Sequence, residues 1–357
     1  MNGAHGLGNS RRESIRGVPA NLDPTMTASE PRSRAVDEGT YGGAGDPPAA
    51  AANATGARTE TVAFESAGVR CEADLYLPAA GEPPWPAVVM AHVFGAERAW
   101  GLAPFAERFA RAGVAALAFD YRHLGGSEGT PRRLIDTGRQ RDDWDAALAY
   151  VRSLEEVDAD RVAAWGSSFS GGHALEVACR DHDVRAVVAQ VPFVDGRSTV
   201  AHQTSDRSTR SRLGTMARAV ADRVLAVADL GPVSVPLVSE PGGGGLVDSP
   251  GAEEGFLSLV PEGEEPVNST PARVVLDLPF FRPGRRADEV DVPVHLVVGE
   301  EDRLLPRGPT ERTIDRLPDP SVHRVPTGHF GVHYDPWFEP VVEAQVAFLT
   351  EALGVDR

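Results

Sequence analysis

The chain has 357 residues, 52 acidic side chains against 35 basic ones, and a formal net charge of −17; every basic residue is arginine. So acidic a protein is excluded as a nucleic-acid binder or a binder of anionic membranes, and no run of about eighteen apolar residues offers a membrane span. The two cysteines, Cys71 and Cys179, have no metal-type spacing and form no disulfide framework, so they read as buried thiols of a reducing cytoplasm, with no metal expected.

Residues 1–57 are rich in Gly, Ala, Pro, Ser and Asn and show no sustained periodicity, which is the composition of a disordered tail. Ser10-Arg11-Arg12 has the form of a twin-arginine export signal, but no apolar stretch follows it, and Met26 is a second candidate start. The tail holds six acids and five arginines, leaving 46 acids and 30 arginines in residues 58–357. The excess charge therefore belongs to the folded part. It fits a cytoplasm of high salt, where a Debye length of ~3 Å at 1 M screens self-repulsion.

From Arg58 the pattern becomes regular. Thr61 to Glu65 and Val69 to Leu77 read as a hairpin turning near Ala67-Gly68. Pro86 to His92 is a continuous apolar run, as expected of a strand covered on both faces. A helix over Leu102 to Ala112 and a buried strand over Val114 to Asp120 follow. Trp144, Ala147, Leu148, Val151 and Leu154 recur at helical steps between Asp136 and Leu154. A strand at Arg161 to Trp165, a helix from Ser170 and a strand at Val184 to Gln190 come next. After a long interval come a strand at Val292 to Val298, a helix near Pro309 to Leu317, a strand at Val322 to Val325 and a closing helix from Trp337 to Leu353. This alternation specifies an α/β fold: a mostly parallel twisted sheet with helices on both faces.

The interval, about residues 197–290, is too long for a plain connection and reads as an inserted cap on the domain of residues 58–357. Leu213, Met216, Val220, Val224 and Leu230 mark one amphipathic helix within it, and Pro241 with Gly242 to Gly245 marks a mobile loop. Arg282, Arg285 and Arg286 could grip an anionic substrate, but salt bridges to the acidic body are the plainer use.

Chemistry concentrates at Trp165-Gly166-Ser167-Ser168-Phe169-Ser170-Gly171-Gly172. A strand turning sharply into a helix pushes a serine into solvent, and the residues two before and two after it must be small. Ser168 satisfies this with Gly166 and Ser170; Ser170 stays open as an alternative, while Ser167 would put Trp165 at a crowded position. A serine needs a base, and the base an orienting acid, each after a later strand. Asp302 in Gly299-Glu300-Glu301-Asp302 is the candidate acid, with Glu301 and Asp195 behind it. His329 is the candidate base and His333 the fallback. Oxyanion donors are expected from the amides of Phe169 and of Phe94, with Val93 the alternative to Phe94. His92 reads as an organiser of that loop.

Together these residues resemble the α/β-hydrolase superfamily from about Thr61 to Ala352. The likeness is greatest to its bacterial and archaeal serine esterase branch, with dienelactone-hydrolase-like and Xaa-Pro-dipeptidyl-peptidase-like relatives. Phe119 to Gly125, Trp165 to Gly172 and Phe281 to Arg286 carry the likeness, and fungal acyl-transferring hydrolases of polyketide pathways are similar in the same segments. Asp120, Arg122 and Gly125 resemble a framework turn of the superfamily. Relatives usually have His-Gly where this chain has His92-Val93, and a β-branched valine resists positive φ, so the oxyanion loop is expected to differ.

The resemblance implies a cytoplasmic serine hydrolase that cleaves a small-molecule ester or thioester through an acyl-enzyme, with no cofactor. A peptidase of the Xaa-Pro type would need carboxylates to grip a free amino terminus, and no such pair is identifiable. Acyl transfer to an alcohol, amine or thiol is a second rival. A binding protein on the same scaffold is a third.

Overall fold

The computed structural model describes residues 57–355. The expected tail lies outside them apart from Ala57, which begins β1 (Ala57–Ser66). β1 and β2 (Val69–Pro78) form the hairpin, turning through Ala67 and Gly68 at φ of 47° and 78°. β3 (Trp85–Ala91), α1 (Ala103–Arg111), β4 (Ala115–Phe119), α2 (Thr137–Arg152), β5 (Val157–Ser167), α3 (Phe169–Ala178) and β6 (Val184–Gln190) then alternate. The interval follows as α4 (Gly196–Gln203), α5 (Thr209–Val227), β7 (Ser234–Val235), β8 (Val238–Ser239), β9 (Val247–Asp248), α6 (Ala252–Leu257), β10 (Thr270–Pro271) and α7 (Val274–Asp277). The chain closes with β11 (Val294–Gly299), α8 (Arg307–Ile314), β12 (Ser321–Val325) and α9 (Phe338–Ala352).

Eight strands form one sheet in the order β1-β2-β4-β3-β5-β6-β11-β12. β2 runs antiparallel to β1 and β4, and every pairing from β4 to β12 is parallel. The central strands read as continuous apolar runs because both faces are covered. Ala87, Val89 and Ala91 of β3 pack with Trp144, Leu148 and Phe119 on one side; Val88 and Met90 pack with Phe105, Phe109 and Val342 on the other. Asp136 caps α2 by accepting from the amides of Gly138 and Arg139, which fixes where that helix starts.

No strand of the interval joins the main sheet: β7 pairs with β10 and β8 with β9. The glycine run is a bonded turn. Gly245 N donates to Ser239 Oγ, and Gly242 N to Asp248 Oδ1. Two expectations change. β5 begins at Val157, ahead of Arg161, because Trp85 of β3 pairs with Val157 across a register shift. α5 ends at Val227, short of Leu230, and its buried residues are Ala219 and Asp222. Leu213, Met216, Val220, Val224 and Val227 face solvent.

Candidate active site

The turn from β5 into α3 is the most constrained backbone of the site. Ser168 stands at φ 58°, ψ −114°, a conformation that L-residues adopt only when their surroundings enforce it. The enforcement is visible. Ser168 N donates to Gln190 O at 2.8 Å, and Ser168 O accepts from Phe193 N at 2.8 Å. Gly166 is required two residues earlier, since a Cβ there would lie 2.0 Å from Ser170 O.

Three strand ends converge on this turn. His329, after β12, places Nε2 2.8 Å from Ser168 Oγ. Its Nδ1 lies 2.7 Å from Asp302 Oδ2, on the turn after β11. With Nδ1–H donating to the carboxylate, Nε2 is left to accept from the serine hydroxyl. Asp302 Oδ1 in turn accepts from Leu304 N and Leu305 N. Burial pushes the Asp302 carboxyl upward, but the charge and hydrogen bond of His329 and those two amides outweigh it, holding the group below its ordinary range.

The alternatives lie elsewhere. Ser170 is fully buried, and its hydroxyl donates to His92 O while accepting from Tyr121 OH. Asp195 caps α4 through Ser198 N and accepts from Arg282 Nε and Nη2. Glu301 is exposed and only its amide is engaged, with Thr327 O. His333 meets Ser167 instead, with Nε2 3.1 Å from Ser167 Oγ, and burial pushes its imidazole down to about 3.

Phe169 opens α3, where a first-turn amide has no intrahelical acceptor and the helix dipole favours negative charge. Phe94 lies on the β3–α1 loop, with its ring edge-on to that of Phe169 at 5.0 Å. The left-handed residues of this loop are Gly95, at φ 70°, and Gly101, at φ 80°; Val93 is not among the positive-φ residues, so its branched side chain creates no strain there. A Cβ on Gly95 would strike Leu237 at 2.7 Å. His92 steadies the loop through Nδ1 and Val93 O, 3.0 Å apart. The Asp120 turn is structural: Asp120 accepts from the amides of Arg98 and Gly126, and Arg122 pairs with buried Asp143. Arg282 and Arg286 are likewise committed, to Asp195 and Glu289.

Ser168 and His329 line a cavity of about 100 Å³ whose remaining wall is mostly apolar. Phe94, Phe193, Val200, Leu278, Leu304 and Leu305 contribute to it, with Gln203, Arg207 and Thr215 among the polar members. The α4–α5 residues of this wall carry no sequence signal, because helical spacing does not reveal which face meets a cavity. No group of three or more His, Cys, Asp or Glu among the described residues could hold a metal ion. No described helix is long and apolar enough to cross a membrane.

Comparison with known proteins agrees with this architecture. Residues 67–223 match the S15 family of X-Pro dipeptidyl-peptidases. The quorum-quenching protein AidA of Acinetobacter baumannii is 39% identical over 294 residues, covering 82% of this chain and 95% of its own. The thiohydrolase aneE of Aspergillus aculeatus is 27% identical, over 80% of this chain and 91% of its own. The crystal structure of the α/β-hydrolase GrgF from Penicillium sp. sh18 superposes with a TM-score of 0.72 at 22% identity, covering 83% of this chain and 99% of that one. With its eight-stranded sheet, its strand-to-helix elbow and a relative matched over nearly its whole length, the chain belongs to the α/β-hydrolase superfamily.

Proposed function

We propose that this enzyme cleaves a carboxylic ester or thioester through an acyl-enzyme, with Ser168, His329 and Asp302 as its triad. The observation that carries the reading is the unbroken contact from Ser168 Oγ through the imidazole to Asp302 at the wall of an apolar cavity. Ser168 Oγ attacks the carbonyl carbon while His329 Nε2 takes its proton, and Asp302 holds the imidazole in the required tautomer. The oxyanion receives hydrogen bonds from the amides of Phe169 and Phe94. Collapse expels the alcohol or thiol, protonated by His329. Water then attacks the acyl-enzyme, giving its proton to His329, and the carboxylic acid leaves as Ser168 regains its hydrogen.

The apolar wall favours an uncharged acyl group, and the name of the relative aneE supports a thioester as one option. No carboxylate is among the residues lining the cavity, which speaks against gripping a peptide amino terminus. A chain-length series of p-nitrophenyl esters and matched acyl thioesters tests the reading. We expect kcat/KM to rise with acyl length until the cavity is filled and then to fall, with Ser168→Ala inactive throughout. Turnover that survives Ser168→Ala, or faster cleavage of an Xaa-Pro amide than of any ester, would overturn it.

A further inference from the structure

The apolar wall of the cavity at Ser168 contains one cation whose hydrogen bonds are incomplete. Arg207, on the link between α4 and α5, lines the cavity with a side chain that is 7% exposed. Its Nη2 donates to the carbonyls of Gly245 and Leu246. Nε lies 3.1 Å from Asp248 Oδ2 but is out of line for a hydrogen bond. Nη1 has no partner among the described residues. Burial holds the guanidinium below its ordinary range despite the opposing charge of Asp248. Buried N–H groups without acceptors are costly, and an acceptor on a bound ligand removes that cost.

Most other polar residues of the wall are already satisfied. The hydroxyls of Thr199 and Thr204 donate to Asp195 O and Val200 O. Gln203 is bound at both ends: Nε2 donates to Leu304 O, and Oε1 accepts from Asp248 N and Ser249 Oγ. The hydroxyl of Thr215, on α5, has no hydrogen bond among the described residues. Arg207 and Thr215 are therefore the donors this wall offers an occupant. Their chemistry selects what they receive. Asp248 already balances the guanidinium, so a carboxylate here would bury an uncompensated negative charge. A hydroxyl would leave its own hydrogen against apolar surface. A ketone oxygen brings two lone pairs and no hydrogen, and can accept from both residues. We propose that the acyl group of the substrate carries a neutral carbonyl away from the scissile bond, received by Arg207 and Thr215 as specificity residues. This rests on the reading of Ser168 as the nucleophile toward an acyl group held in this cavity.

p-Nitrophenyl esters of one chain length, with a ketone moved carbon by carbon along the acyl chain, test the assignment against the plain ester. The readout is kcat/KM for each oxo ester divided by that for the plain ester in the same variant, so a general structural defect cancels. The wild type should prefer one oxo position by about tenfold or more, the scale of a hydrogen bond from a charged donor. Arg207→Met should abolish that preference. Thr215→Val, which removes only a hydroxyl without a partner, should lower it severalfold. An ester with a carboxylate at the favoured position should be cleaved more slowly than the plain ester. The absence of a favoured oxo position, a preference that survives either variant intact, or faster cleavage of the carboxylate ester would each overturn the proposal. Turnover of the plain ester reports separately on the nucleophile, so the two readings fail independently.

Discussion

Ser168 carries its hydroxyl on a backbone that only its neighbours make tolerable, and in the proposed mechanism the imidazole beside it works only while it is held. Asp302 does the holding. Asp302→Ala frees the ring to turn and to adopt the wrong tautomer, so kcat should fall by about 10⁴, the scale of losing the orienting acid in a serine triad. Steady-state kinetics with unchanged circular dichroism would check this; a loss of under tenfold would contradict it. A second chain of hydrogen bonds locks the elbow to the oxyanion loop. Trp144 Nε1 donates to Tyr121 OH, Tyr121 to Ser170 Oγ, and Ser170 to the carbonyl of His92. Tyr121→Phe leaves the buried Trp144 donor without its acceptor and should cost about 1–3 kcal/mol in chemical denaturation.

At the scale of elements, the elbow depends on close approach of β5 to α3. Gly166→Ala would force a methyl group to 2.0 Å from Ser170 O, so the turn must open. Activity should be lost together with a lowered melting temperature; a variant of wild-type stability and turnover would show that the elbow is laxer than described. The same elements show what could be read in advance. β3 and β4 were legible because burial on both faces writes an uninterrupted apolar run. Strand ends and small residues nominated Ser168, Asp302 and His329, whose side chains the fold brings within hydrogen-bond distance in series. The start of β5 was not legible, since Asp158 and Asp160 lie in its exposed lead-in and break the apolar signal. Nor was the direction faced by α5. Its periodicity gives a stripe, but whether that stripe meets the core or solvent depends on tertiary partners such as Arg273, whose guanidinium donates to buried Asp222.

For the whole molecule, acid stability is set by histidines kept neutral inside the fold. Burial pushes His173 and His333 down to about 3 and His123 and His295 to about 4, and lowers His92 as well. In the unfolded chain each titrates near its ordinary value of about 6.5. Below that pH the unfolded state binds more protons than the native one, so stability is full above it and is lost as pH falls toward the folded values. Asp302 works in a lower window: its depressed carboxyl contributes fully above the ordinary aspartate range and is lost only on acidification through it. The guanidinium midpoint should therefore decline steadily from pH 7 to pH 5, ahead of any carboxylate titration. A flat midpoint across that interval would contradict the account.

The central claim, that the hydroxyl at the β5–α3 elbow is the nucleophile, is tested most directly by intact-mass measurement after reaction with a fluorophosphonate. The account predicts one adduct per wild-type chain, mapped to Ser168, and none on Ser168→Ala. An adduct of equal yield on Ser168→Ala would contradict it.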